Sequence, residues 1–401
     1  MTIDYKVLDA IAKQEGTSFY LFYPEIFVKN LNDFSRLLAT YYKNSKVAYA
    51  YKANYMPILG QYLKQNECWG EVVSGMEYDI ARIFLAGEHL IFNGPCKTAP
   101  EMNRALEDGA VLNLDSFYEL DLLRSLLDHH KNISVGLRVS FDIGTGSSRF
   151  GFNYENGEFM RAVSSLLDMG KVKLTSIHSH FTTRERSLDL FERRVNGMLD
   201  VYDAIPCKEQ IQHLNIGGGF FGPISEEAKT NFTVVPPSFE DYASLIGNAF
   251  NKRFGEDGPT LFVEPGVSMI ANAMDFVVQV LDSREVKGRR ILTVDGSVNN
   301  LFPTGSKYNP DFKIICAEKR ERIRSDIAGY TCMEHDILMA DIDIAAAPGD
   351  FIVFHNRGAY SNVYKPPFIK AAPAIVGIDG EIFSRRQTFE DVIATYAGSI
   401  G

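Results

Sequence analysis

Lys52 closes the segment Val47-Ala48-Tyr49-Ala50-Tyr51-Lys52-Ala53-Asn54. A strand that buries an apolar and aromatic body and delivers one amine at its C-terminal end can hold a Schiff-base lysine. Desolvation disfavours the ammonium and frees the amine to attack a carbonyl. By itself a lysine after a strand is most often a solvated loop residue. Its weight here comes from the polar residues that end the segments after it: Ser74, Asn93, Asp115, Arg138, His180, the Gly217-Gly218-Gly219 run and Glu264. An amine, a guanidinium, an imidazole, a carboxylate and a glycine run gathered at one place are hard to explain as structural filler.

Something must gather them. Apolar, β-branched runs recur about every 22 residues, the spacing of a strand, a helix and short loops. Strands are expected at Val47–Lys52, Trp69–Ser74, His89–Gly94, Val111–Asp115, Ser134–Ser140, Lys173–Phe181, Ile211–Gly217 and Thr260–Glu264. Amphipathic stretches at Pro100–Gly109, Phe117–His129, Ser187–Ala204 and Ser238–Phe254 read as helices between them. Strands alternating with helices in this way predict a parallel (β/α)8 barrel, an α/β fold with its active site at the C-terminal strand ends. The glycine run is expected to end a strand and to be followed by a helix.

After about Asp275 the pattern changes. Phe276–Leu281, Arg290–Val294, Phe312–Cys316 and Asp350–Phe354 read as strands, and helical periodicity is scarce. The expected organisation is a barrel over 24–275 and an all-β C-terminal domain over 276–401 joined by residues 1–23. Ser18–Tyr23 is expected to pair as a strand with the late β domain. The 401 residues, 45% hydrophobic and 23% charged, suit a globular protein with a large core. A net charge of −10 argues against non-specific nucleic-acid binding. The N-terminus lacks a signal-peptide pattern, and no apolar run reaches the length of a membrane span. Cys68, Cys96, Cys207, Cys316 and Cys332 form no CxxC pair and suggest neither a disulfide nor a metal framework. A cytoplasmic location is the simplest expectation.

These motifs, in this order and over nearly the whole chain, resemble the fold-type III pyridoxal-phosphate decarboxylases, the diaminopimelate and ornithine decarboxylase family. Tyr49-Ala50-Tyr51-Lys52-Ala53-Asn54 resembles the cofactor-lysine strand, and Glu71-Val72-Val73-Ser74-Gly75-Met76-Glu77 the next family block. His178-Ser179-His180 resembles the HxH strand, Asn215-Ile216-Gly217-Gly218-Gly219-Phe220 the phosphate loop, and Glu264-Pro265-Gly266 the segment facing the pyridine nitrogen. Cys332 with Asp336, and Gly358-Ala359-Tyr360, resemble two active-site segments of the C-terminal domain. The resemblance implies pyridoxal 5'-phosphate on Lys52, His180 stacked on its ring and Glu264 at its nitrogen. It implies Gly217, Gly218, Gly219, Gly266, Thr183 and Tyr360 around the phosphate. Arg138 is expected near the cofactor or as a buttress of the barrel mouth. Cys332 is the implied proton donor, supplied by the partner subunit of a homodimer with shared active sites.

Some family positions differ. Val267 stands where an arginine usually follows Glu-Pro-Gly, and Thr182-Thr183 replaces a glycine-serine. Phe302 stands where diaminopimelate decarboxylases carry an arginine, and Met333 replaces the acid after the cysteine, with Glu334 one place later. Phe302, Tyr308, Met333 and Glu334 are the candidate substrate-binding residues. The expected activity is α-decarboxylation, in a biosynthetic pathway, of an amino acid or amino-acid conjugate other than free meso-diaminopimelate. Two alternatives remain at this point. A racemase of the same barrel family typically uses an arginine at the pyridine nitrogen, against which Glu264 argues. A non-catalytic homologue that binds a partner protein sits poorly with Lys52, Glu264 and Cys332 together.

Overall fold

The computed structural model describes residues 3–146, 148–181, 185–224, 235–301, 310–364 and 367–396. The chain divides into two compact units, Val28–Met269 and the combination of Met1–Phe27 with Ile270–Gly401.

Val28–Met269 holds the barrel. Its parallel strands run in the order Ser45–Ala50, Trp69–Val72, Leu90–Phe92, Val111–Leu114, Ile133–Ser140, Val172–His178, His213–Asn215 and Thr260–Val263. The sheet closes where Thr260–Val263 pairs with Ser45–Ala50. Several of these strands are followed by helices that bury one stripe. In Phe239–Phe254 the stripe is Phe239, Tyr242, Ala243, Ile246, Gly247 and Phe250, the spacing of an amphipathic helix. Ser74, Thr98, Ser116 and Ser238 cap their helices by accepting a backbone N–H three residues on. Ser74, Thr98 and Ser116 close the turns that follow Trp69–Val72, Leu90–Phe92 and Val111–Leu114.

The barrel interior is graded along its axis. Ala48, Ile91 and Phe262 form an apolar cluster with Trp69 and Val111 near the strand starts. Toward the strand ends, Glu71, Asn93, Asn113, Asp115, Arg138, His178, Asn215 and Glu264 are all buried and polar. Buried polar groups persist only when hydrogen-bonded, so this layer has to form a connected network.

The second unit is built on a nine-stranded sheet. Phe19–Phe22 pairs antiparallel with Met274–Val286, Phe19 opposite Val277, and parallel with Ala374–Val376. The expected pairing of this early segment with the late strands is therefore present. A helix at Tyr5–Glu15, absent from the sequence reading, lays Leu8 and Ile11 onto a core of Phe19, Leu21, Val277, Phe351 and Val353. Strands at Ile323–Ala328 and Ile337–Ile344 were also not expected. Among the described residues, no helix is long and apolar enough to cross a membrane.

Candidate active site

Lys52 lies one residue into a 3-10 turn, Tyr51–Ala53, directly after Ser45–Ala50. The turn is held by the Tyr49 hydroxyl donating to the Asn54 carbonyl at 2.9 Å. Gly266 packs against it: a Cβ there would stand 2.9 Å from the Ala53 Cβ. Glycine at 266 thus lets the Glu264 segment lie flat on the Lys52 turn. Lys52 Nζ reaches Glu71 Oε2 at 2.5 Å.

From Glu71 a hydrogen-bonded chain crosses the barrel. Asn93 Nδ2 donates to Glu71 Oε1 at 3.0 Å and to Glu264 Oε1 at 2.6 Å. Asn113 donates to Asn93 Oδ1 at 2.9 Å. Asn215 Nδ2 also donates to Glu264 Oε1, at 2.7 Å, and His178 Nε2 stands 3.2 Å from Oε2. Burial alone would disfavour the Glu264 charge. The His178 ring and the Lys52 ammonium outweigh it and hold the carboxyl well below the usual carboxylate range. Glu264 is therefore an ionised carboxylate deep in the mouth, suited to fixing a proton on a basic ring nitrogen.

His180 follows the strand end. The Gly218 N–H donates to its Nδ1 at 3.0 Å, which assigns the ring proton to Nε2. Burial, with Lys52 nearby, takes the His180 imidazolium well below its ordinary range, so the ring is neutral. Arg138 is committed locally. Its guanidinium pairs with Asp115 at 3.0 Å, donates to the His180 carbonyl at 3.1 Å and lies over the Phe150 ring at 4.7 Å. These contacts buttress the mouth around His180.

Gly217–Gly219 forms a tight cradle. Gly217 and Gly219 have φ of +71° and +96°, and a Cβ on Gly218 would stand 2.2 Å from the Glu264 carbonyl oxygen. No residue but glycine fits there without backbone movement. The N–H of Gly219 has no acceptor among the described residues. Residues 217–224 have no regular structure, and the next helix among the described residues is Phe239–Phe254. Gly222 instead packs on the Ser268 backbone, and Phe220 inserts among Phe34, Phe191 and Tyr242. Aromatic packing pins the chain just beyond the glycines.

The residues expected in the other unit are placed as follows. Cys332 and Glu334 are exposed and Met333 is partly buried, on a loop closed around Asp336. Asp336 is buried and accepts from Val298 N at 2.8 Å, Thr331 N at 3.0 Å and Thr331 Oγ1 at 2.6 Å. Tyr360 has φ of +57°, a left-handed conformation rare for an aromatic residue. Thr183, Phe302 and Tyr308 lie outside the described residues.

The barrel mouth suits pyridoxal phosphate. An amine stands ready for its aldehyde, an ionised carboxylate for its ring nitrogen, and a glycine cradle with an unpaired N–H for its phosphate. The sequence reading did not assign roles to Glu71, His178 or Asn215. Their strand-end positions beside Lys52, His180 and Gly217 were the available signal.

A parallel barrel with a lysine, a carboxylate and a glycine loop at its mouth defines a pyridoxal-phosphate enzyme of the barrel type. Residues 27–271 match the pyridoxal-dependent decarboxylase family through its pyridoxal binding domain, and the chain belongs to this family. It is 27% identical to the diaminopimelate decarboxylase of Bacillus subtilis, over 96% of this chain and 92% of that one. It is 25% identical to the L-glutamyl-[BtrI acyl-carrier protein] decarboxylase of Niallia circulans, over 98% and 97%. The crystal structure of M. jannaschii diaminopimelate decarboxylase with L-lysine superposes with a TM-score of 0.85 at 25% identity, covering 96% of this chain and 94% of that one. The protein is thus a pyridoxal-phosphate-dependent amino-acid decarboxylase, a carboxy-lyase.

Proposed function

We propose that the substrate is an amino acid with a neutral, large or conjugated distal end, and that free meso-diaminopimelate is turned over poorly. The observation that carries this reading is the Cys332 loop, which presents Met333 where an acid is expected and carries its acid, Glu334, one place further into solvent. Phe302, in place of an arginine, points the same way from sequence. The Niallia circulans relative supports it, since its printed name gives a glutamyl group carried on a protein as the substrate.

The assignment of roles is as follows. Lys52 binds the cofactor and Glu71 holds the lysine in place. Glu264 keeps a proton on the ring nitrogen, oriented by Asn93, Asn215 and His178. Neutral His180 would stack on the cofactor ring, and Gly217–Gly219 with Thr183 and Tyr360 would receive its phosphate. Bound pyridoxal phosphate supplies an electron sink for the pair left when the substrate carboxylate departs as CO2. Cys332 Sγ, brought from the second copy of a homodimer, returns a proton to that carbon.

Release of CO2 from a panel of free amino acids and amino-acid conjugates tests the substrate. Loss of a charge-assisted carboxylate contact lowers specificity by a factor of about 10–150. Diaminopimelate should therefore fall at least about tenfold below the best compound in kcat/KM. Turnover of diaminopimelate equal to that of the best compound would refute the proposal.

A further inference from the structure

Arg194 is the largest fully buried side chain of the barrel unit, 1% exposed, on the helix Leu188–Ala204. Among the described residues no carboxylate pairs with it. NH1 donates to the carbonyls of Gly218 at 2.6 Å and Ile216 at 3.3 Å, and NH2 to the Phe181 carbonyl at 3.2 Å. The guanidinium lies 4.4 Å from the Phe191 ring centre, and its Nε is buried without a partner. Burial lowers it only to about 10, so it is a cation at neutral pH.

A buried cation without a counterion is costly unless an anion arrives. Its hydrogen bonds grip the Ile216 and Gly218 carbonyls of the glycine loop and the Phe181 carbonyl next to His180 in the chain. Because a peptide is planar and trans, turning the Gly218 carbonyl toward Arg194 turns the Gly219 N–H the opposite way. That is the N–H without an acceptor. Meanwhile Val267 removes the arginine that the family resemblance places after Glu-Pro-Gly.

We propose that Arg194 is a positioning residue for the cofactor phosphate, orienting the Gly218–Gly219 peptide and supplying from beneath the loop the positive charge that Val267 lacks. It touches the loop and acts through it. The inference rests on the pyridoxal-phosphate site described above.

The test compares pyridoxal 5'-phosphate with pyridoxal, which lacks the phosphate, as ligands of the full-length chain stripped of cofactor. Arg194→Met should weaken the phosphorylated form about 10- to 100-fold while leaving pyridoxal affinity unchanged. Arg194→Lys, which keeps the charge but loses the fork, should lose part of that affinity with the same selectivity, and it decides the matter if the methionine variant does not fold. Parallel losses for both ligands, or no loss for either, would overturn the role of Arg194. A parent chain that binds neither ligand would overturn the site itself.

Discussion

At the scale of single residues, the barrel mouth works by controlling which groups carry charge. Lys52, Glu71, Asn93 and Glu264 form one hydrogen-bonded chain, so the amine and the ring-facing carboxylate are held in fixed relation before any ligand arrives. Lys52→Ala should abolish both the visible absorbance of bound cofactor and CO2 release. Borohydride-fixed cofactor in that variant, traced by mass spectrometry to another lysine, would contradict the assignment. Glu77 offers a separate test of burial. It donates no proton to the network but accepts the Val73 N–H at 2.9 Å, and desolvation pushes its carboxyl up to about 7. Between the ordinary value of 4.5 and about 7 the folded chain keeps a proton that the unfolded chain has released. Its contribution to stability therefore falls as pH rises through that window. The stability of Glu77→Gln relative to the parent should rise by up to about 3 kcal/mol from pH 4.5 to 8. Denaturant titrations across pH measure this, and a difference that does not vary with pH would count against a raised Glu77.

At the scale of elements, the strands are short and their ends carry the chemistry. Caps such as Ser74 and Ser116 open the helices directly after Trp69–Val72 and Val111–Leu114, close to the buried polar layer. The glycine cradle is the tightest of these junctions, because Gly218 lies against the backbone at Glu264 while its N–H sets the His180 tautomer. Gly218→Ala would place a methyl 2.2 Å from a backbone oxygen that has no flexible tip to move. The expected cost is about 1–3 kcal/mol of stability with weakened cofactor affinity, read by thermal melts and cofactor titration. Parent-like values for both would show that the loop can shift freely.

At the scale of the whole molecule, the residues proposed for catalysis are divided between two units. Lys52, His180 and Glu264 lie in Val28–Met269, and Cys332 and Tyr360 in the other unit. We propose that a homodimer joins them. If so, mixing inactive Lys52→Ala with inactive Cys332→Ala subunits should restore activity, since a mixed dimer holds one intact site. Each mixed dimer has one working site of two, and about half of randomly exchanged dimers are mixed, so recovery near a quarter of parent activity is expected. No recovery despite demonstrated subunit exchange, or a fully active monomer, would exclude a shared site.

The sequence by itself determined the barrel and the order of its strand-end residues, because strand-helix periodicity and a run of motifs are local patterns that survive without tertiary information. The strand-end positions of Lys52, His180, Gly217–Gly219 and Glu264 were legible for that reason, as was the pairing of Phe19–Phe22 with the late β domain. Local pattern failed where long-range contacts decide. Ile323–Ala328 and Ile337–Ile344 are interrupted by charges that pair only across strands, such as Arg324 with Asp341, so neither reads as a strand alone. The packing of Phe220 among Phe34 and Phe191, just past the glycine run, also depends on partners far away in sequence. The Asn93 bridge between two carboxylates, the neutral state of His180 and the buried cation Arg194 beneath the loop belong wholly to the tertiary structure. Each depends on residues from strands and helices far apart in sequence, brought within about 3 Å at hydrogen-bonding distance where water is excluded and an unpaired charge is costly.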